Sequence, residues 1–381
     1  LHSFPTRRSS DLQLGKRDDR DYVKSKKRKA RRWSMLKFIF FLLVLSLIVV
    51  GAISCTTYFY NCGMNIFEKF NYVSIDKKRL DIDKDVSEEL SEYRNIVLLG
   101  IDAREGEDPN KCRSDAVVLV SIHKKTGRIN MTSVLRDSYL MLDEKGNKVL
   151  DKLTHAHAYG GPENTIRALN RNLDLNVREF MTVNWRTVAK LADAMGGIDM
   201  KIKDYEVDEM NRYIDDTNRN LHGDKTHIDK PGIHRLNGIQ TVTYCRIRHV
   251  GNGDSERAAR MRKVIQAIVK KSKTMSLSQL EAVANKVLPD IDTNIEPKEM
   301  FWLALKGASF KIESSRRWPY RFDGAKLEGV WYDAPIVLSS NVKALHEKLF
   351  LQKNYRPTDR VENISQQIIE ITGYGINQPS Q

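Results

Sequence analysis

The chain has 381 residues, a formal net charge of +14 and 41% hydrophobic residues. That is ample sequence for a core in one large domain or two modest ones. Residues 1–37 carry +9 of the charge by themselves. The excess is therefore a short local tail without a recognition helix, which counts against nucleic acid as the natural partner.

Leu1–Leu12 reads as translated sequencing-adapter sequence, and the first methionine is Met35. The basic run Lys24–Arg32 precedes residues 38–60, which are uncharged and rich in Phe, Leu, Ile and Val. An apolar helix of about 20 residues spans a bilayer core, and flanking Lys and Arg mark its cytoplasmic side. A single transmembrane helix is expected over residues 38–60, with a cytoplasmic tail before it and everything after Asn61 outside. A cleaved signal peptide is the alternative, against which stand the length of the run and the lack of a small-x-small site. Residues 61–92 are mixed and charged and read as a stalk.

Residues 95–101 (NIVLLGI) suit a buried central strand with Asp102 at its carboxyl end, where open α/β sheets collect ligands. Residues 115–122 and 129–135 form a predicted hairpin about Thr126 and Gly127. Its register brings Arg113, Asp115 and Arg136 to one end. Residues 152–161 read as a loop, and Pro162 starts a helix to Leu173. A strand is expected at residues 180–183. Asn184 caps a helix over residues 185–195 that Gly196 and Gly197 end. Residues 203–230 are polar and aperiodic, and read as a long loop. Residues 242–248 are expected as a strand, which places Arg246 and Arg248 on one face with Cys245 and Ile247 on the other. A helix follows over residues 255–272, then helices, a strand at 329–338, a helix at 341–350 and a polar tail over 351–381.

Arginine and aspartate fall in couplets: Asp102 with Arg104, Arg113 with Asp115, Arg136 with Asp137, Arg246 with Arg248, and Arg257 with Arg260 and Arg262. The arginine fork matches phosphate oxygens two at a time, and aspartate offers the hard oxygens that magnesium prefers. A single couplet is more often a solvated ion pair; several meeting at one edge point to a pyrophosphate site. Asp102 and Asp115 fit a metal role, and Arg136, Arg246 and Arg248 a charge-neutralising one. Asp137 and Asp254 are both candidates for a base. His155 and His157 lack a third ligand for zinc. No phosphate-binding loop, dinucleotide fingerprint or nucleophile elbow is present. Four scattered cysteines are no disulfide framework. Cys245 reads as a small buried residue, with a Cys112–Cys245 bridge as the lesser alternative.

The strings NIVLLGIDAR, RSDAVVLVSI, SVLRD, KLTHAHAYGG, DAMGGIDM, LNGIQTVTYCRIRH and DSERAARMRKVIQAI, in this order, resemble the LytR–CpsA–Psr family. The likeness covers residues 93–272 and extends towards Phe350. It implies an α/β fold, an α-β-α sandwich with a central mixed sheet, over residues 93–350. It implies a phosphotransferase that moves an anionic glycopolymer, of teichoic-acid or capsular type, from a polyprenyl-pyrophosphate carrier to peptidoglycan. Carried over, Asp102 and Asp115 hold Mg2+ (or Mn2+), and Arg113, Arg136, Lys152, Arg246, Arg248, Arg257 and Arg260 bind the pyrophosphate. Asp102, Asp115, Arg136 and Arg246 carry the catalysis. An apolar tunnel for the lipid is also implied. Two departures stand out: Leu135 replaces a proline before Arg136, and Met261 replaces a glutamine after Arg260. Hydrolysis at the same site and a non-catalytic envelope regulator are the competing functions.

Overall fold

The computed structural model describes residues 64–375 save 104, 105 and 308. The basic tail, the apolar run at 38–60, Cys55 and Cys62 lie outside the described residues. Among the described residues, no helix is long and apolar enough to cross a membrane.

In chain order, α1 (residues 64–67), β1 (Asn71–Tyr72), α2 (Lys84–Glu89), β2 (Tyr93–Ile101), β3 (Ser114–His123) and β4 (Arg128–Val134) come first. Next are β5 (Tyr139–Glu144), β6 (Asn147–Lys152), α3 (Leu153–Leu173), β7 (Glu179–Asn184), α4 (Trp185–Ala194), β8 (Ile198–Ile202) and α5 (Asp204–Leu221). Then follow β9 (Gly232–Leu236), α6 (Gly238–Arg246), α7 (Gly253–Ser272), α8 (Leu277–Val287), β10 (Asp292–Thr293) and α9 (Pro297–Gly307). The last are β11 (Lys311–Trp318), β12 (Phe322–Leu327), β13 (Val330–Pro335), α10 (Leu338–Phe350) and α11 (Asp359–Thr372).

A mixed sheet in the order β1–β10–β7–β2–β3–β4–β11 forms the middle layer. β2 pairs antiparallel with β3 and parallel with β7, so the predicted central strand has neighbours on both edges. Its residues alternate between the two faces of the sheet, Val97 and Leu99 on one and Ile96 and Leu98 on the other. Val97 and Leu99 join Leu153, Ile166 and Leu169 of α3 and Val342 and Leu345 of α10. On the other face, Ala116 of β3 and Met181 and Val183 of β7 pack with Ala192 of α4, Tyr244 of α6 and Met261 and Val264 of α7. Two apolar faces on one sheet require helices on both, and the predicted α-β-α layering is what forms.

Several expectations need correction. Residues 242–248 are not a strand: α6 runs through Arg246. Asn237 accepts from the Gln240 N–H while the Gln240 side chain accepts from the Asn237 N–H. This reciprocal cap fixes the helix start and outweighs the strand preference of Val242 and Thr243. Residues 204–221, expected within a loop, are helix α5. The buried stripe has only three apolar residues, Val207, Met210 and Ile214, beside Glu206, Glu209 and Thr217, which hides the helical period in a polar composition. The expected loop at 152–161 is the first part of α3, kinked at Gly160 and Gly161. Gly161 has φ +62°, and its neighbour Pro162 then heads the second part without blocking a helical bond. Residues 71–92 do not stand apart as a stalk, because Leu80, Val86 and Leu90 are buried in the α3-side core. Nor is 351–375 a polar tail: Val361, Ile364 and Ile368 of α11 close the same core.

Candidate active site

The site is built at one end of the β3–β4 hairpin. Val117 pairs with Val134 and Ile122 with Ile129, as the turn at Gly127 predicts. Continued outward, that register sets Asp115 opposite Arg136. On the other edge of β3, Gly100 opposes Ala116 and Ile101 opposes Ser114, so Asp115 is the extra residue of a bulge. A bulge re-aims a side chain, and Asp115 Oδ1 meets Arg136 Nη1 at 2.7 Å. A Cβ at Gly100 would come within 3.0 Å of the Ala116 Cβ, so the strands approach closely where the bulge begins.

Around this pair the chain gathers three more elements. The first turn of α7 supplies Asp254 and Arg257, 3.3 Å apart, and Arg257 also lies 3.7 Å from Asp115. The segment after α6 supplies Arg248, 3.4 Å from Asp254 and 3.9 Å from Asp137. The end of β6 supplies Lys152, 3.4 Å from Asp137. Arg136 sits at the centre, 3.4 Å from Asp137 and 3.8 Å from Asp254.

Most of these contacts are longer than charge-assisted hydrogen bonds, which run near 2.8 Å. Arg136 Nε and Asp254 Oδ1 are buried yet have no hydrogen-bond partner among the described residues. Burial works against the charge of Arg136, but Asp115, Asp137 and Asp254 together hold its pKa above the ordinary value. Burial, with Arg136 and Arg248 adding to it against Asp254 and Asp115, depresses Arg257. The cationic charge is thus incompletely compensated, and an arriving polyanion would supply the missing oxygens.

Asp333 joins from β13. Its N–H donates to the Asp137 carbonyl at 2.9 Å, and its carboxyl forms no ion pair among the described residues. Burial first, then Asp137 and Asp254, push that carboxyl up to about 6. Sequence reasoning missed this residue, since an aspartate in an alternating strand carries no local signal of the cluster it faces.

Beside the cluster lies an apolar cavity of about 320 Å³ between the sheet and helices α4, α7 and α8. Leu98, Met181, Val188, Leu191, Ile265 and Ile268 line it. Ala116 and Met261 belong both to this cavity and to the small cleft formed by Asp115, Arg136, Asp254 and Arg257. Met261, where a glutamine was expected, extends the apolar wall to the edge of the charges. At its other side the cavity shares Ile101, Val183, Asn184 and Trp185 with a polar pocket of about 610 Å³ that contains Asp102 and Arg246.

The predicted residues are therefore distributed. Asp115, Arg136, Lys152, Arg248 and Arg257 come together. Arg246 instead faces the polar pocket, with Nη2 2.8 Å from Asp216 Oδ2. Asp102 is exposed at the end of β2, its N–H directed to the Arg113 carbonyl at 3.5 Å, and it has no ion pair among the described residues. Arg113 is exposed and also unpaired there. Arg260 is fully buried, 2.8 Å from Glu206, and donates to the Ile247 carbonyl at 3.1 Å. It is placed in the core behind the site, where it fixes the segment between Arg246 and Arg248. Cys112 and Cys245 are unbridged. His157 is buried with Nδ1 2.9 Å from the Cys112 carbonyl, and His155 contacts Asp151.

The donor chemistry of Asp102 and Asp115 fits a hard divalent cation, which takes one or two carboxylates and completes its shell with water and phosphate oxygens. No group of three or more carboxylate, histidine or cysteine side chains forms a cage among the described residues, so such an ion would depend on the ligand for part of its shell.

An arginine-rich anion site at the mouth of an apolar cavity defines a protein suited to an amphiphile with a polyanionic head. Residues 60–348 match the LytR_cpsA_psr family, and the chain belongs to it. It is 29% identical over 304 residues to the polyisoprenyl-teichoic acid–peptidoglycan teichoic acid transferase TagU of Bacillus cereus, covering 78% of this chain and 91% of that protein. It is 28% identical over 327 residues to TagT of Bacillus subtilis, named for the same activity, covering 83% and 93%. Among solved structures, the protein gbs0355 from Streptococcus agalactiae matches with a TM-score of 0.57 and 26% identity, covering 72% of this chain and 94% of that one.

Proposed function

We propose that the protein is a membrane-anchored phosphotransferase that attaches an anionic glycopolymer, of teichoic-acid or capsular type, from a polyprenyl-pyrophosphate carrier to peptidoglycan outside the cell membrane. The observation that carries this reading is the contact, through Ala116 and Met261, between the arginine cluster and the apolar cavity. A polyprenyl pyrophosphate needs both at once: burial for the lipid at roughly 25 cal/mol per Å², and paired cations for the phosphates.

The cavity takes the isoprene units next to the head. Arg136, Arg248 and Arg257 exchange their long contacts to aspartate for phosphate oxygens, with Lys152 adding a point charge. Arg246 joins once it releases Asp216, and Arg113 is free to approach from the rim. These residues bind and orient the diphosphate, and they neutralise charge that builds on the leaving lipid phosphate. Asp102 and Asp115 would hold Mg2+ or Mn2+, which when bound withdraws charge from phosphate oxygens. Arg260 stays in the core as a positioning residue. The partners are the lipid-linked polymer, the peptidoglycan acceptor and the bilayer, with the tail before residue 38 in the cytoplasm.

The test uses the full chain in lipid nanodiscs with a polyprenyl-pyrophosphate-linked oligosaccharide and a soluble peptidoglycan oligomer, with and without Mg2+. Transfer of sugar phosphate to the oligomer, lost in Asp115→Ala, is expected. Release of free sugar phosphate alone would make the protein a hydrolase. Donor binding without turnover would make it a regulator.

A further inference from the structure

The β12–β13 hairpin carries none of the sequence blocks named above, though it lies within the span that matches the family, and it reaches the charged cluster. Besides the Asp333 N–H to Asp137, Ser138 and Asp333 form a parallel bridge. Tyr332, on the opposite face of β13, packs against Tyr139 at 4.7 Å between ring centroids and under Lys152 at 5.5 Å. The hairpin is thus fastened to the site by its backbone and by one side chain.

On the face shared with Asp333 stands Trp331, which is 58% exposed. A side chain at Gly324, on the paired strand, would overlap the six-membered ring of Trp331. The absence of one lets the indole lie across the glycine, which restricts the ring. An exposed indole held over a glycine thus stands beside a buried carboxyl that forms no ion pair among the described residues. It matches a pyranose ring, whose axial C–H bonds pack on an aromatic face while its hydroxyls seek acceptors.

The geometry points to the Trp331–Asp333 face of this hairpin as the subsite for the acceptor glycan, Trp331 stacking on a sugar ring and Asp333 receiving the proton of the attacking hydroxyl. This rests on the transferase reading. The position of the face selects acceptor over donor in two ways. The apolar cavity meets the cluster through Ala116 and Met261, whereas the hairpin meets it through Asp137. Phosphoryl transfer wants the attacking and leaving oxygens roughly in line, so the hydroxyl belongs away from the lipid. Second, a proton is lost only by the acceptor. As the acceptor oxygen bonds to the phosphorus bearing the polymer, the P–O bond to the lipid phosphate breaks. Lipid phosphate leaves with the electron pair, and the proton passes to Asp333. Asp137 and Asp254, the other carboxyls near that position, are engaged by Arg136, Arg248, Arg257 and Lys152.

The experiment measures transfer by the full chain while donor and a soluble peptidoglycan oligomer are varied separately, for Trp331→Ala, Trp331→Phe and Asp333→Asn. Loss of one stacking face is expected to raise the acceptor KM by about tenfold in Trp331→Ala, with the donor KM unchanged and most of the effect recovered in Trp331→Phe. Asp333→Asn is expected to lower kcat, keep the acceptor KM and flatten the acid limb of the pH profile. An unchanged acceptor KM in Trp331→Ala, or a change in the donor KM instead, overturns the assignment. Calorimetric titration of the oligomer alone needs no turnover. Weaker binding in Trp331→Ala there supports the subsite even if wild-type protein transferred nothing, which would count against the transferase reading only, and equal binding refutes the subsite.

Discussion

Arg257 and Arg260 stand one turn apart on α7, and opposite outcomes are expected when each is replaced by methionine. Arg260 and Glu206 have no exposed side-chain surface. Removing one partner of a buried pair costs about 3–5 kcal/mol, because the other charge is stranded, and the Ile247 carbonyl loses a bond worth about 1 kcal/mol. Glu206 keeps the Lys203 N–H on its second oxygen at 2.9 Å, which argues for the lower end of that range. Arg260→Met should therefore destabilise by roughly 3–4 kcal/mol, and adding Glu206→Gln should recover part of the loss. Arg257→Met leaves Asp115 still paired with Arg136 at 2.7 Å and Asp254 with Arg248 at 3.4 Å. Its stability cost should stay near 1 kcal/mol or below. Its loss of one charge-assisted contact should weaken polyprenyl-pyrophosphate binding by roughly 10- to 100-fold. Urea unfolding followed by tryptophan fluorescence reads the first quantity and titration of the lipid reads the second. If Arg260→Met unfolds like wild type yet loses donor affinity, Arg260 is a ligand residue and the placement argued above is wrong.

Other expectations follow from single sites. Asp333 releases its proton near 3.8 when unfolded and near 6 when folded, so between those values folding takes up a proton and stability falls as pH rises, then levels above about 6. The gap corresponds to roughly 3 kcal/mol at most; Asp333→Asn should remove this dependence, and superimposable urea curves of the two proteins from pH 4 to 8 would refute it. Burial, against Arg257 and Arg260, pushes the Cys245 thiol up to about 12, so maleimide labelling at that position should wait for unfolding, as mass spectrometry of digests would show. Asn184 caps α4 by accepting from the Thr187 N–H at 2.9 Å; Asn184→Ala should cost about 1 kcal/mol in urea unfolding.

The hairpin was legible because one turn glycine and two alternating strands fix a register, and a register fixes which charged residues meet. Asp115 with Arg136 followed from that alone. Arg257 and Arg260 were not separable, because both lie on an amphipathic helix and the difference between them is what packs behind Arg260. Its partner Glu206 sits in α5, a segment whose thin buried stripe left no visible period. The Trp331–Asp333 face was equally hidden, since its proximity to the site comes from a bridge to Ser138 more than 190 residues away in sequence.

The misread segment at 242–248 has the largest consequence for mechanism. As a strand it would have aimed Arg246 and Arg248 to one side. As a helix ending at Arg246, followed by extended Ile247 with φ −52° and ψ 128°, it sends them to different places. Arg246 faces the polar pocket with Asp216, and Arg248 faces Asp137 and Asp254. The two pockets adjoin the same apolar cavity from different sides. Ile247 between them is buried and held by Arg260, so the backbone is a fixed pivot and only side chains are free to move. For both arginines to grip one diphosphate, Arg246 must leave Asp216 and Thr217, contacts of 2.8 and 3.0 Å at a half-exposed position. Such an exposed pair is worth at most about 1 kcal/mol, less than one phosphate contact returns. Asp216→Asn should therefore tighten donor binding by up to about fivefold where Arg246→Ala weakens it. Equal donor affinity in wild type and Asp216→Asn would mean that Arg246 serves the polar pocket and not the diphosphate.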